Sequence, residues 1–373
     1  MTPRVPAHEK RFSVRTPSQA TSVVVGAGTL GRLESLLAES VPEAARVLYV
    51  VDAGVAIPAV HERWSGEWRP EPERALVVKA GEASKSRAVH AAVEDAILAH
   101  GLSRDDVVVA VGGGAVLDVV GYAAATARRG IPWVAVPTSV VGQVDACVGG
   151  KTAINHERGK NLLGAFHPPV LAVVDVTTLR TLPSRDRVAG LAEIYKSGRV
   201  GDAELLVRLA ARAATDDDPW WVDVVAAALK VKARLVERDE RDVGVRRLLN
   251  YGHTLGHALE TALGPKAMRH GEGVSIGMGV AAEVASRRGL VGAAFVEAQD
   301  ADLARLGLPT RIPAEPPSAR LLELVVEDKK RRAAGLLTLV LPAARGALAV
   351  FEDVSPAEIE SAITARRERR ERR

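Results

Sequence analysis

The sequence is poor in cysteine and in aromatic side chains, and it has no long apolar run. Its one cysteine, Cys147, cannot form an internal disulfide and fits a reducing compartment. Aromatic residues make up only 3% of the chain, so the core must be built from valine, leucine, alanine and isoleucine. No apolar run approaches the roughly 20 residues that span a bilayer, and the N-terminus lacks the apolar stretch of a signal peptide. We therefore expect a cytoplasmic protein with no membrane partner.

Excess charge of one sign is scarce outside the C-terminus. The formal net charge is +4 over 373 residues, and much of it lies in the run RRERRERR at 366–373. A short solvated tail explains such a run better than a nucleic-acid-binding arm does, so we expect no nucleic-acid partner. The length is ample for a buried core and predicts two domains.

Valine-rich runs alternate with amphipathic helices in the first half of the chain. The runs lie at 22–25, 46–51, 75–78, 107–111, 133–136 and 170–174, and helices are predicted at 29–39, 85–100 and 114–128. Strands that alternate with helices predict a parallel sheet in an α/β domain. Long helices rich in alanine, leucine, valine and arginine follow, with one strand-like run at 336–341. We predict an α/β domain over 1–178 and a mainly α-helical domain over 179–373.

Two glycine clusters compete as the binding site for a nucleotide phosphate. The first, GAGTLG at 26–31, follows a strand, precedes a helix and has Asp52 at the end of the next strand, where a ribose-binding acid belongs. The second, GGG at 112–114, also opens a helix, with Asp118 one turn in. The residues alone favour the first cluster, because its acid is in place; either could be only a tight turn.

Three histidines form a candidate metal site. His253 and His257 are four apart in a helical segment and so share one face, and His270 begins the next apolar helix. Histidine pairs at this spacing suit a divalent metal, but they are equally compatible with satisfied core histidines. Thr254 follows the first histidine, so the segment is not the HExxH pattern of metalloproteases.

A dense polar segment at 143–169 is interpreted as a loop that binds an anion. Lysine supplies point charge, asparagine orients hydroxyl groups, and glycine lets backbone amides approach a ligand. Elsewhere Glu82 with Lys85, and Glu193 with Lys196, are spaced three apart at helical positions, which by itself indicates no more than surface ion pairs or caps.

The order of these pieces resembles the 3-dehydroquinate synthases, within the sugar phosphate cyclase superfamily. The resemblance extends from residue 26 to residue 341. It is carried by the motifs GGGAVLD at 112–118, VDACVGGKTAIN at 144–155, GKNLLGAF at 159–166, GLAEIYK at 190–196, RRLLNYGHTLGH at 246–257, RHGE at 269–272 and EDKK at 327–330. It implies a Rossmann-like NAD domain followed by a helical domain that carries metal and substrate residues.

The resemblance also implies a role for individual residues. A divalent zinc or cobalt ion would be held by Glu193, His253 and His270. NAD would contact Asp52, Glu82, Lys85, Gly113, Gly114, Asp118, Thr138, Ser139 and Lys160, so that the pyrophosphate lies at the second glycine cluster. Substrate would be lined by Asp145, Lys151, Asn161, Lys196, Lys232, Arg246, Asn250, His257 and one of Lys329 and Lys330. Arg129 would reach the phosphate bound by the other subunit of a homodimer.

The activity implied is the NAD- and metal-dependent cyclisation of 3-deoxy-arabino-heptulosonate 7-phosphate to 3-dehydroquinate, with loss of phosphate. The presence of Asn250 and His257 favours this carboxylate-bearing substrate. Alternatives are a cyclase that acts on sedoheptulose 7-phosphate, one that makes aminodehydroquinate, and a metal-dependent polyol dehydrogenase. The dehydrogenase would accumulate NADH, whereas a cyclase returns each hydride.

Overall fold

The computed structural model describes residues 8–55, 71–211, 217–329 and 335–368. The chain forms two units, Met1–Pro183 with Thr215–Arg241, and Ser184–Ala214 with Asp242–Arg373. The predicted division at residues 178 and 179 assigns 215–241 to the second domain, whereas the packing of that segment assigns it to the first unit. In the described residues, no helix combines the length and the apolar character needed to cross a membrane.

The first unit is built on a seven-stranded sheet with the order β1-β2-β9-β6-β5-β3-β4. Only β1 runs antiparallel to its neighbour; the other pairs are parallel. Its strands are β1 Lys10–Arg15, β2 Ala20–Gly26, β3 Val47–Asp52, β4 Ala75–Val78, β5 Val107–Gly112, β6 Trp133–Pro137 and β9 Leu171–Asp175. The six predicted strands are confirmed, and β1 was not predicted.

The helices of the first unit are α1 Leu33–Ser40, α2 Arg87–Ala99, α3 Gly114–Thr126 and α6 Asp218–Arg238. Every residue of β5, β6 and β9 is buried, as continuous valine-rich runs in a parallel sheet covered on both faces require. The long helix α6 packs against β1 and β2, and it also contacts a single turn of π-helix at Gly142–Ala146. This packing explains why 215–241 belongs to the first unit.

Part of the polar segment that was interpreted as a loop is a β-hairpin. Strand β7 spans Lys151–His156 and pairs antiparallel with β8, which spans Gly159–Phe166. Every residue of β8 is exposed or half-buried, so its polar composition reflects an open hairpin and not an irregular chain. Cys147, just before the hairpin, is fully buried.

The second unit is mainly helical, as predicted. Its helices are α4 Ser184–Gly201, α5 Ala203–Ala210, α7 His253–Ala267, α8 His270–Arg287, α9 Ala293–Arg305, α10 Ser318–Lys329 and α11 Pro356–Glu368. The strand-like run at 336–341 forms β10, Leu337–Pro342, which pairs with an unpredicted strand β11, Leu348–Val354. Helix α8 is buried along almost its whole length and forms the centre of this unit.

Candidate metal and cofactor sites

Three side chains from three helices of the second unit converge on one point. Glu193 lies within α4, whereas His253 and His270 are the first residues of α7 and α8. Oε1 of Glu193 is 3.7 Å from Nε2 of His253 and 3.5 Å from Nε2 of His270. Tetrahedral zinc with bonds of about 2.1 Å holds its ligand atoms about 3.4 Å apart. The spacing of the three atoms therefore fits a divalent metal ion.

The bonding of Glu193 supports this fit. Its Oε1 atom is buried and has no hydrogen-bond partner among the described residues, while the other carboxylate oxygen pairs with Nζ of Lys196. A buried oxygen without a partner is costly, so its occurrence calls for an explanation such as a bound cation. Burial raises the pKa of Glu193, but Lys196 and the two imidazoles outweigh it and hold the pKa well below its ordinary value. The carboxylate is thus charged and directed at the imidazoles.

Glycines allow the three helices to approach closely enough to bring these ligands together. A methyl group on Gly277 of α8 would overlap the carbonyl oxygen of Gly252, the residue that caps α7. A methyl group on Gly256 would lie 3.1 Å from backbone atoms of α8, and one on Gly271 would overlap the carbonyl oxygen of Ala189 in α4. These three glycines therefore determine how near α7, α8 and α4 lie.

The second nitrogen of His270 is also engaged. Its Nδ1 atom lies 2.7 Å from Oε1 of Glu260, a buried residue of α7. Burial lowers the pKa of His270, but Glu193 and Glu260 together raise it above its ordinary value. The exposed ring of His257 lies with its centroid 5.3 Å from that of His253 and 6.1 Å from that of His270. His257 therefore borders the three-ligand cluster without being one of its members.

The second unit also carries the predicted substrate residues Lys196, Arg246 and Asn250. Lys196 is buried against Glu193. Arg246 is buried and Asn250 is exposed in the 3₁₀ turn Val245–Asn250 that precedes α7. Lys329 is the last residue of α10, where only its backbone is described, and Lys330 lies outside the described residues.

In the first unit, the glycine cluster favoured by the residues alone is already occupied by a side chain. Asp175, at the end of β9, accepts hydrogen bonds from the amides of Gly28 at 2.9 Å and Leu30 at 2.8 Å. Gly28 has a left-handed backbone with φ 76°, which favours glycine. The cluster at 26–31 is thus a turn closed by an internal carboxylate, and two of the amides that the residues alone suggested for a phosphate already have a partner.

The second glycine cluster has the features of an anion site. Gly113 caps α3 and Gly114 is its first residue, so the first amides of that helix have no partner within it. A Cβ on Gly112 would lie 2.9 Å from Cβ of Asp52, which places the predicted ribose-binding acid beside this cluster. Asp52 itself accepts from the amides of Gly54 at 2.7 Å and Gly81 at 3.2 Å.

The remaining predicted cofactor residues lie around the same helix end. Thr138 is buried and its amide donates to the carbonyl of Gly112 at 2.9 Å, and the hydroxyl of Ser139 would be 3.4 Å from a Cβ on Gly113. Nζ of Lys85 pairs with Oδ2 of Asp118 at 2.5 Å. Burial raises the pKa of Asp118 to about 6, and the charge of Lys85 opposes that shift.

The structure also brings predicted cofactor and substrate residues together. Oδ1 of Asn161 accepts from the same Nζ of Lys85 that pairs with Asp118. Lys232 of α6 pairs with Oδ1 of Asp145 at 2.6 Å and donates to its carbonyl oxygen. The side chains of Lys151, Lys160 and Arg129 are exposed.

The family model for the 3-dehydroquinate synthase N-terminal region matches residues 75–189, and the one for the C-terminal region matches 190–331. A 3-dehydroquinate synthase of Nitrobacter winogradskyi is 42% identical over 358 residues, which cover 90% of this chain and 91% of the relative. The chain belongs to the 3-dehydroquinate synthase family.

Two solved structures show the same architecture. The 2-epi-5-epi-valiolone synthase of Streptomyces hygroscopicus, with NAD⁺ and Zn²⁺ bound, has a TM-score of 0.81 at 29% identity and covers 98% of this chain and 99% of its own. A 2-deoxy-scyllo-inosose synthase has a TM-score of 0.79 at 24% identity, over 95% of this chain and 99% of its own. The predicted fold class, an α/β domain followed by a mainly helical one, is confirmed.

Three residues that bear on the candidate sites were not predicted from the sequence. They are Glu260 beside His270, Asp175 inside the first glycine turn, and Asn155 in the hairpin. A signal existed for Glu260, because it lies seven residues after His253 and so shares its helical face. The contacts of Asp175 with Gly28 and of Asn155 with Glu82 join residues that are 147 and 73 positions apart, so no local pattern indicates them.

Proposed function

We propose that the protein is a 3-dehydroquinate synthase, which converts 3-deoxy-arabino-heptulosonate 7-phosphate to 3-dehydroquinate with release of phosphate, using NAD and a divalent zinc or cobalt ion. One observation carries the proposal. In a chain of this family, a buried oxygen of Glu193 that makes no hydrogen bond with any described residue lies 3.7 Å from Nε2 of His253 and 3.5 Å from Nε2 of His270. A polyanionic sugar acid phosphate also fits the lysines and arginines of the predicted substrate set.

The metal centre would consist of Glu193, His253 and His270, and these residues leave coordination positions for substrate oxygens. When bound, the ion supplies a Lewis acid that acidifies a substrate hydroxyl, and NAD supplies a reversible hydride acceptor. Lys196 holds Glu193 in its charged form, and Glu260 holds the imidazole of His270 so that Nε2 faces Glu193. These contacts orient the donors before any ligand arrives.

The proposal assigns the remaining residues to two ligands. NAD is assigned to Asp52, Glu82, Lys85, Gly113, Gly114, Asp118, Thr138, Ser139 and Lys160. Substrate is assigned to Asp145, Lys151, Asn161, Lys196, Lys232, Arg246, Asn250, His257 and either Lys329 or Lys330. Support comes from the open first turn of α3 for the pyrophosphate and from the pairing of Lys232 with Asp145, which holds that lysine in place.

A second candidate function is cyclisation of sedoheptulose 7-phosphate, favoured by the likeness to the 2-epi-5-epi-valiolone synthase. The two substrates differ in the carboxylate, which only the heptulosonate carries. Purified protein should therefore be given NAD, zinc or cobalt, and each sugar phosphate in separate reactions, with phosphate release as the measurement. Release from the heptulosonate supports the proposal, and release from sedoheptulose 7-phosphate alone refutes it.

The absorbance of NADH during the same reactions separates a cyclase from a polyol dehydrogenase. A cyclase returns each hydride, so phosphate should accumulate while NADH does not.

We also infer a cytoplasmic homodimer in which Arg129, an exposed residue, reaches the phosphate bound by the other subunit. Light scattering of the purified protein tests the dimer, and mixing inactive Arg129→Ala and Glu193→Ala subunits should restore part of the activity if Arg129 acts across subunits.

A further inference from the structure

The side chain of Asn155 connects two segments that the proposed function assigns to different ligands. Its Nδ2 donates to Oε1 of Glu82 at 2.6 Å, and its Oδ1 accepts from the backbone amide of Asn161 at 3.0 Å. Its own backbone amide donates to the carbonyl oxygen of Lys85 at 3.0 Å. One residue of the hairpin is therefore bound both to the turn that carries Glu82 and Lys85 and to the strand that carries Asn161.

The chemistry of the partners determines which way the amide of Asn155 faces. A carboxylate oxygen only accepts hydrogen bonds, and a backbone amide only donates them. Nδ2 must therefore face Glu82, and Oδ1 must face Asn161. Ionised aspartate has no donor, alanine has neither a donor nor an acceptor, and serine is too short to reach both partners. Each of these replacements therefore loses at least one of the two bonds.

Asn161 needs support because its backbone is unusual. It has a left-handed conformation with φ 56°, which residues other than glycine adopt rarely. Its amide is held by Asn155, and its Oδ1 is held by Nζ of Lys85, which also pairs with Asp118. Since Oδ1 faces Lys85, Asn161 offers a ligand its Nδ2 donor. The direction of that donor depends on Asn155 and Lys85 together.

We propose that Asn155 is a positioning residue that couples NAD binding at Glu82 and Lys85 to the orientation of the substrate residue Asn161. The proposal rests on the assignment of these residues to NAD and substrate in the proposed function. Asn155 acts through its neighbours: with its two side-chain bonds in place, a cofactor that fixes Glu82 also fixes the turn of the hairpin. Without them the two segments are joined only by the backbone bond from Asn155 to Lys85 and by the contact of Lys85 with Asn161, so the coupling weakens.

The first test is a double-mutant cycle on NAD binding, measured by calorimetric titration of the metal-loaded full chain. Asn155→Asp puts a carboxylate against Glu82 and removes the donor, so the Kd for NAD should rise about fivefold, as expected for loss of one hydrogen bond. In the double variant Glu82→Gln/Asn155→Asp, the amide at position 82 donates to the carboxylate at position 155. The hydrogen bond forms again, with donor and acceptor exchanged. The double variant should therefore bind NAD about fivefold more tightly than the product of the single effects predicts.

Glu157→Gln is the matched control, because it exchanges a carboxylate for an amide at an exposed position of the same hairpin. Its Kd for NAD should stay within about twofold of the wild-type value. Single effects that simply multiply in the double variant would overturn the proposal. Should Asn155→Asp alone fail to fold, the comparison of Glu82→Gln with the double variant still decides: recovery of folding and NAD affinity supports the bridge, and failure of both refutes it.

The second test concerns the substrate side. At saturating NAD, Asn155→Asp should raise the KM for 3-deoxy-arabino-heptulosonate 7-phosphate about fivefold through Asn161, with kcat changed less. An unchanged KM beside weakened NAD binding would overturn the coupling. If wild-type protein releases no phosphate from this substrate, the proposed function fails, whereas the NAD cycle continues to test the contact between Asn155 and Glu82 separately.

Discussion

Oε1 of Glu260 lies 2.7 Å from Nδ1 of His270, and the other ring nitrogen of that histidine faces Oε1 of Glu193. A carboxylate at Nδ1 holds the proton on that nitrogen, so that an ion which displaces the proton from Nε2 would meet the lone pair of Nε2. Glu260 is buried, so it cannot turn away into solvent. Glu260 therefore adds a fourth residue to the candidate metal site, one that orients a donor and is not itself a donor.

The first prediction concerns metal affinity. Glu260→Ala should weaken zinc binding by about 10- to 100-fold, the usual effect of removing a carboxylate behind a metal-binding histidine. Glu260→Gln keeps an acceptor and should lose less. Competition with a chromogenic chelator measures the affinity without reference to activity. Glu297→Ala, at an exposed position of α9, is the control and should bind zinc like the wild type; equal affinity in Glu260→Ala would contradict the role of this carboxylate.

The parallel strands could be predicted from the sequence because both of their faces are buried, which makes their sequences uniformly apolar. Strands such as β5 are covered on both faces, so they appear as unbroken valine runs. Strand β1 and the hairpin β7–β8 could not be predicted in this way, since they mix charged and apolar residues and several of their side chains are exposed. Their strand conformation depends on pairing with a partner, which no local pattern encodes.

The candidate site likewise has parts that the sequence predicts and parts that it does not. The three proposed metal donors could be predicted because their motifs occur in a fixed order, and the described structure brings their atoms together. The contact of Asp175 with Gly28 spans 147 positions, so the motif GAGTLG indicated a turn correctly without indicating that its amides are occupied. The contact of Asn155 with Glu82 spans 73 positions and was likewise not indicated by any local pattern.

The second prediction distinguishes the two glycine clusters. A methyl group on Gly113 fits the surrounding protein, since its nearest neighbour would be 3.4 Å away, but it would obstruct a pyrophosphate at the start of α3. Gly113→Ala should raise the Kd for NAD about tenfold, equivalent to about 1.4 kcal/mol, with little change in melting temperature. Gly28→Asn, which tolerates a left-handed backbone, should leave NAD affinity unchanged because Asp175 occupies that turn. The reverse pattern would assign NAD to the first cluster.

The third prediction concerns the close approach of α7 and α8. Gly277→Ala would place a methyl group against the carbonyl oxygen of Gly252, so it should destabilise the protein by about 2–3 kcal/mol despite the better helix propensity of alanine. Gly292→Ala, where a methyl group meets no atom within 4 Å, should cost less than about 1 kcal/mol. Urea unfolding followed by circular dichroism gives both values. Similar free energies of unfolding for the two variants would mean that α7 and α8 can move apart to accept the methyl group at little cost, which contradicts the prediction.

The fourth prediction concerns acid stability. Glu358 at the start of α11 accepts from Arg288 at 2.6 Å and from the hydroxyl of Ser355 at 2.8 Å. The hydrogen bond from Arg288 is the main cause that lowers the pKa of Glu358 from 4.5 to about 2, and burial opposes it. The folded state therefore releases this proton more readily than the unfolded chain. The resulting stabilisation is complete above about pH 4.5 and is lost as the pH falls through about 2.

Glu358→Gln should accordingly be less stable than the wild type near neutral pH, and the difference should shrink as the pH falls from about 4.5 towards 2. Glu360→Gln, an exposed change on the same helix, is the control, and its difference from the wild type should stay small throughout. Thermal unfolding at a series of pH values provides the measurement. Because Arg288 also pairs with Asp353 at 2.8 Å, Arg288→Gln should destabilise more than Glu358→Gln does at neutral pH. A gap between wild type and Glu358→Gln that persists unchanged at pH 2 would show that this carboxylate does not depend on its ionised form to hold α11 in place.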